Sequence, residues 1–150
     1  MDIESLSLRF MSSRDNTYRN LQNIPQLDGY EDIACHADAN SFGFVDPVTG
    51  ETVQEASAKF LARRILESGK YNGGAIRLIA CESGKYEDGI AQELANELGV
   101  NVLAPTKVVY TNSQGYMVVA DDEFEALELL KTATKKWNPD GWKEFKPKEG

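Results

Sequence analysis

Gly74-Ala75-Ile76-Arg77-Leu78-Ile79-Ala80-Cys81-Glu82-Ser83-Gly84 is the stretch on which the reading of this chain turns. Ile76, Leu78, Ile79 and Ala80 form a near-continuous apolar run. Such a run suits a central parallel strand buried on both faces. The run ends on Cys81 and drops into a short polar loop, and the pattern beyond it predicts a helix over Glu87–Leu98. Ile90, Ala91, Leu94, Ala95 and Leu98 share the apolar face of that helix, and Gly99 supplies its C-terminal stop. A cysteine at the C-terminal end of such a strand lies where open α/β sheets hold their ligands.

Working upstream, Asp32–His36 reads as a second short strand that ends on the single histidine of the chain. Between the two strands, Ser41–Val45 suits a short strand and Asp46–Gly50 a turn. Thr52-Val53-Gln54-Glu55 matches a capping box, which predicts a helix from there to about Ser68 with Ala58, Leu61, Ala62 and Ile65 inward. Further upstream, Leu6, Leu8 and Phe10 alternate with polar residues as a half-buried strand does. The rest of residues 1–29 is polar and gives a poorly defined N-terminal extension. Downstream, Val100–Ala104 predicts a strand. Lys107–Tyr110 and Tyr116–Ala120 flank Asn112–Gly115 as a hairpin toward a sheet edge. Asp121–Glu123 opens an acidic helix. Trp142–Pro147 adds an edge strand or docks its aromatic residues.

These elements predict one α/β domain over residues 1–150, a three-layer sandwich of a mainly parallel sheet with helices on both faces. A length of 150 residues suffices for a sizeable core, and 41% hydrophobic and 27% charged residues are ordinary for a globular chain. The net charge of −8 argues against nucleic acid as a partner. No apolar run approaches the roughly 20 residues of a membrane span. Nothing at the N-terminus reads as a signal peptide, and two cysteines do not make a disulfide framework.

The chemistry follows from residue types. A thiolate is a nucleophile that needs a base, and histidine is the usual one. One histidine leaves one pairing: Cys81 as nucleophile and His36 as base. Backbone N–H groups at Cys81 and Ala37 are the candidates for stabilising an oxyanion. Adjacent residues on a strand face opposite ways, so Cys35 belongs to the core. The same parity argues against a zinc site built from Cys35, His36 and Cys81, and no metal or other cofactor is expected. The phosphatase pattern of Cys, five residues, then Arg fails at Glu87. A phosphate-binding P-loop ending at Gly84-Lys85 fails at Ile79 and Tyr86, and no dinucleotide fingerprint is present.

The order of strand with His36, helix, strand with Cys81, helix resembles the caspase-like cysteine peptidases, among them caspases, gingipains and the self-processing protease domains of large bacterial toxins. The resemblance implies a caspase-like fold and a His36–Cys81 dyad, with Ala37 standing where that group has glycine. A second likeness runs through Ile76–Gly84, Ile90–Val100 and Ala104-Pro105-Thr106, and ends on Trp142, Phe145 and Pro147. These segments are similar to C-terminal effector modules of bacterial polymorphic toxins. That likeness implies a bacterial module exported toward a target cell, or else a cytoplasmic one. It also implies a protein or peptide substrate and an immunity protein as partner. The alternative is a non-catalytic binding module or inactive relative on the same scaffold, with Cys81 and His36 as packing residues.

Overall fold

The computed structural model describes residues 7–148. The chain runs β1 (Ser7–Phe10), α1 (Asn16–Asn20), β2 (Tyr30–Ala37), β3 (Phe42–Val45), β4 (Thr52–Ala56), α2 (Ala58–Glu67) and β5 (Ala75–Ile79). It continues through α3 (Ile90–Leu98), β6 (Val102–Pro105), β7 (Val108–Thr111), β8 (Met117–Ala120), α4 (Glu123–Thr132) and β9 (Trp142–Phe145). The β1 strand follows the predicted alternation; Leu6, also placed there, lies outside the described residues.

Seven strands form one sheet in the order β4-β3-β2-β5-β6-β9, with β1 also on β2. The strand of Cys81 therefore lies beside that of His36, in parallel register. The wider architecture corrects the expected fold. Among the described residues, β1–β2, β2–β5 and β5–β6 are parallel, while β2–β3, β3–β4, β6–β9 and β7–β8 are antiparallel. This is a mixed sheet, not the mainly parallel sheet of a caspase-like three-layer sandwich. Short connections are the cause for β2–β3 and β3–β4. Asp38–Ser41 and Asp46–Glu51 close on backbone hydrogen bonds, and turns that short can join strands only antiparallel.

The helices also depart from a layer on each face. α2 and α3 share one core with Ile33, Cys35, Ile76, Leu78 and Ala80. The opposite face of β2 and β5, carrying Ala34 and Ile79, is covered by Met11, Leu21, Ile24 and Met117. The N-terminal segment and the hairpin thus do the work assigned to a second helix layer. That hairpin is a separate two-stranded sheet, not an edge of the main one.

The capping-box reading is corrected as well. Thr52–Ala56 pairs with β3 as a strand, and Glu55 sits at φ 53° where the register shifts. Helix α2 is capped instead by Ser57, whose side chain accepts from Phe60 N–H at 3.1 Å. Phe60, outside the apolar stripe, stacks near Phe44 and beneath the Arg64 guanidinium. The tail takes the strand alternative, with β9 antiparallel to β6.

Candidate functional site

Register sets the site. Asp32 pairs with Arg77, Ile33 with Leu78 and Ala34 with Ile79. Alternate residues share a face, so Asp32/Arg77 and Ala34/Ile79 are successive rungs on the side covered by the N-terminal segment, and the pairing ends before His36 and Cys81. The first rung is a buried ion pair. Arg77 Nε and Nη2 each donate to Asp32 at 2.6 Å, and Nη2 also donates to Pro25 O at 2.9 Å. Burial pushes the Asp32 carboxyl up, and the Arg77 guanidinium pulls against that shift. Trp137 lies over the same guanidinium.

Beyond the last rung, His36 Nε2 lies 3.0 Å from Asp15 Oδ2. A carboxylate at that distance requires the proton on Nε2, which leaves Nδ1 as the basic nitrogen. The histidine side chain is largely exposed. Asp15 was not among the residues singled out from the sequence. It stands among Arg14, Asn16 and Asn20 in a polar run, and no local pattern distinguishes it.

β5 ends at Ile79, so Cys81 stands in the turn just beyond the strand. Val109 N–H of β7 donates to Cys81 Sγ at 3.4 Å. Burial pushes the thiol up, the Val109 N–H opposes this, and the charge of Glu82 adds to the rise. Among the described residues no hydrogen bond joins His36 to Cys81: the imidazole is held by Asp15 and the thiol by Val109. Cys35 is buried in the α2–α3 core, as its parity predicts.

The oxyanion candidates separate. The bond from Asp38 N–H to Ser41 O and the His36–Gly43 pairing make Ala37–Phe42 the non-hydrogen-bonded pair. The Ala37 N–H therefore points away from β3, toward the side of β5. The helix expected to open near Cys81 begins only at Ile90. In between, Glu82 N–H donates to Lys107 O, Ser83 N–H to Ala80 O and Gly84 N–H to Pro105 O. These N–H groups fasten the turn to its neighbours, so no helix N-terminus faces the thiol. Gly84 is required for that fastening, since a Cβ there would meet Ala104 O at 2.9 Å.

Residues 6–119, which span Asp15, His36 and Cys81, match the model of a domain of unknown function, DUF8616. The chain belongs to that family. No curated protein and no solved structure matches this DUF8616 chain. Among its described residues no group of three or more His, Cys, Asp or Glu side chains is placed to hold a metal ion. No helix there is long and apolar enough to cross a membrane.

Proposed function

We propose that Cys81 and His36 form the dyad of a cysteine hydrolase acting on peptide bonds, with Asp15 orienting the imidazole. The observation that supports this reading is neighbourhood: β2 and β5 lie side by side in parallel, and His36 and Cys81 each stand two residues beyond the last paired residues, Ala34 and Ile79. His36 Nδ1 takes the thiol proton and Sγ attacks the carbonyl carbon. The imidazolium then returns the proton to the leaving amine as the C–N bond breaks. Water hydrolyses the thioester with the same base. Ala37 N–H, aimed toward the β5 side, is the backbone donor best placed for the oxyanion. The likeness to polymorphic-toxin modules supports placing the chain as an exported bacterial effector with an immunity protein as partner.

A non-catalytic binding module is the second reading. It is favoured by the half-buried, upshifted thiol and by two exposed apolar side chains on α4, Phe124 at 82% and Leu127 at 53%. A peptidyl acyloxymethyl ketone separates the two. A hydrolase is labelled at Cys81, and His36→Ala slows labelling by about a hundredfold or more, the usual contribution of a positioned base. Labelling that falls on Cys35, or that is indifferent to His36→Ala, overturns the dyad.

A further inference from the structure

Around the proposed nucleophile one sign of charge prevails. Glu82 follows Cys81 directly, and its backbone sits in the left-handed region at φ 59°. It is held there by its N–H, which donates to Lys107 O at 2.8 Å. The Glu82 carboxylate has an ion-pair partner in Lys85, at 3.6 Å, with both side chains part-exposed. Such a surface pair contributes little and exchanges readily with a competing cation. Lys107, whose carbonyl fixes Glu82, turns its own ammonium to Asp121 at 3.1 Å. Asp121 leads into Asp122 and Glu123 at the start of α4. The Tyr110 phenol, next in β7 to the Val109 that touches Cys81, is pushed up by burial and by the charges of Glu123, Asp122 and Cys81. The base of the proposed dyad carries a carboxylate of its own, Asp15.

The lysines nearest this rim, Lys85 and Lys107, each already face a carboxylate. Cavities of about 190 and 270 Å³ are lined by Glu31, Tyr71 and their neighbours, and by Asp46, Arg64 and theirs. Neither is lined by Cys81, His36 or Glu82.

We infer that the Cys81 site takes a peptide with Lys or Arg beside the scissile bond, and that Glu82 is the carboxylate that recognises this cation. The inference rests on the cysteine-hydrolase reading and adds a substrate class to it. Its test uses three peptidyl acyloxymethyl ketones that differ only in the residue next to the reactive group: Lys, Leu or Glu. The rate of Cys81 modification is followed by intact mass. The Lys probe is expected to react fastest, by about tenfold or more over Leu, with Glu slowest, as complementary charge at an exposed site allows. Its advantage shrinks as salt is raised. Glu82→Gln collapses the Lys-to-Leu ratio, and Glu82→Lys reverses the order of the Lys and Glu probes. Circular dichroism of both variants verifies that the fold is retained. A faster Leu or Glu probe, or a Lys preference untouched by both variants, overturns the inference while leaving Cys81 as a nucleophile. No modification of Cys81 by any probe removes the hydrolase reading, and the substrate class with it.

Discussion

Arg77→Met tests what holds β2 in register with β5. Arg77 is fully buried and its register partner Asp32 is 5% exposed. Met keeps most of the stem volume but leaves the Asp32 carboxylate without its two guanidinium bonds and the Pro25 carbonyl without its donor. Breaking one side of a buried pair costs about 3–5 kcal/mol, against a total stability of about 5–15 kcal/mol for an ordinary domain. Urea denaturation at pH 7 reads this loss directly. Adding Asp32→Leu removes the stranded charge, so the double variant recovers most of it.

The pH dependence has a definite sign. Burial raises Asp32, and Arg77 is what opposes the rise; without it the folded-state value climbs further. A carboxyl raised in the folded state favours the fold when protonated. That stability is fully present below the unfolded value of about 3.9 and is lost as pH rises through the folded value. The Arg77→Met penalty therefore grows from pH 4 toward neutrality. A penalty under about 1 kcal/mol at pH 7, one that does not change with pH, or a double variant as unstable as the single would refute the argument.

Gly115→Ala should destabilise by about 2 kcal/mol or more, since a left-handed backbone and an overpacked contact each carry a penalty. The φ there is +89°, and a Cβ would fall 1.8 Å from Asn23 O, so thermal melting should register the change. Iodoacetamide should alkylate Cys81 in the resting protein more slowly than a free thiol at pH 7. Its rate should climb beyond the ordinary thiol range near 8.5, because burial holds the thiol up; a plateau before pH 8 would contradict that. Cys35 should resist alkylation until the chain is unfolded, which peptide mapping can follow. Asp15→Asn keeps the shape but not the charge beside His36. It should lower kcat/KM of the proposed activity by about tenfold or more without moving the melting temperature.

Much of this was legible in the sequence wherever periodicity and burial coincide. Leu61, Ala62 and Ile65 of α2 and Ile90, Ala91, Leu94 and Ala95 of α3 are buried as their spacing predicts. The strands of His36 and Cys81 are neighbours. Strand direction was less legible, because apolar runs do not encode it. Thr52–Glu55 satisfied a local helix-start motif, yet strand pairing with β3 prevailed over it. Asp15 could not be found because the pair it makes spans 21 residues and depends on how the N-terminal segment folds back. Arg77 is different. One arginine inside an otherwise apolar strand needs a buried acidic partner, and Asp32 in the neighbouring predicted strand was available to supply it.

That pair ties the fold to the site. Two rungs stand on one face of β2 and β5, Asp32/Arg77 and Ala34/Ile79, and the residues of the proposed dyad, His36 and Cys81, follow beyond the last paired residues. A charged rung in the interior is a strong registration device, because a slip of one residue would bury both charges unpaired and turn every side chain to the opposite face. The same slip would carry His36 into the α2–α3 core and set Cys35 on the face that His36 now takes. The ion pair takes no part in the proposed chemistry. It favours the register on which the proposed pairing of His36 with Cys81 depends.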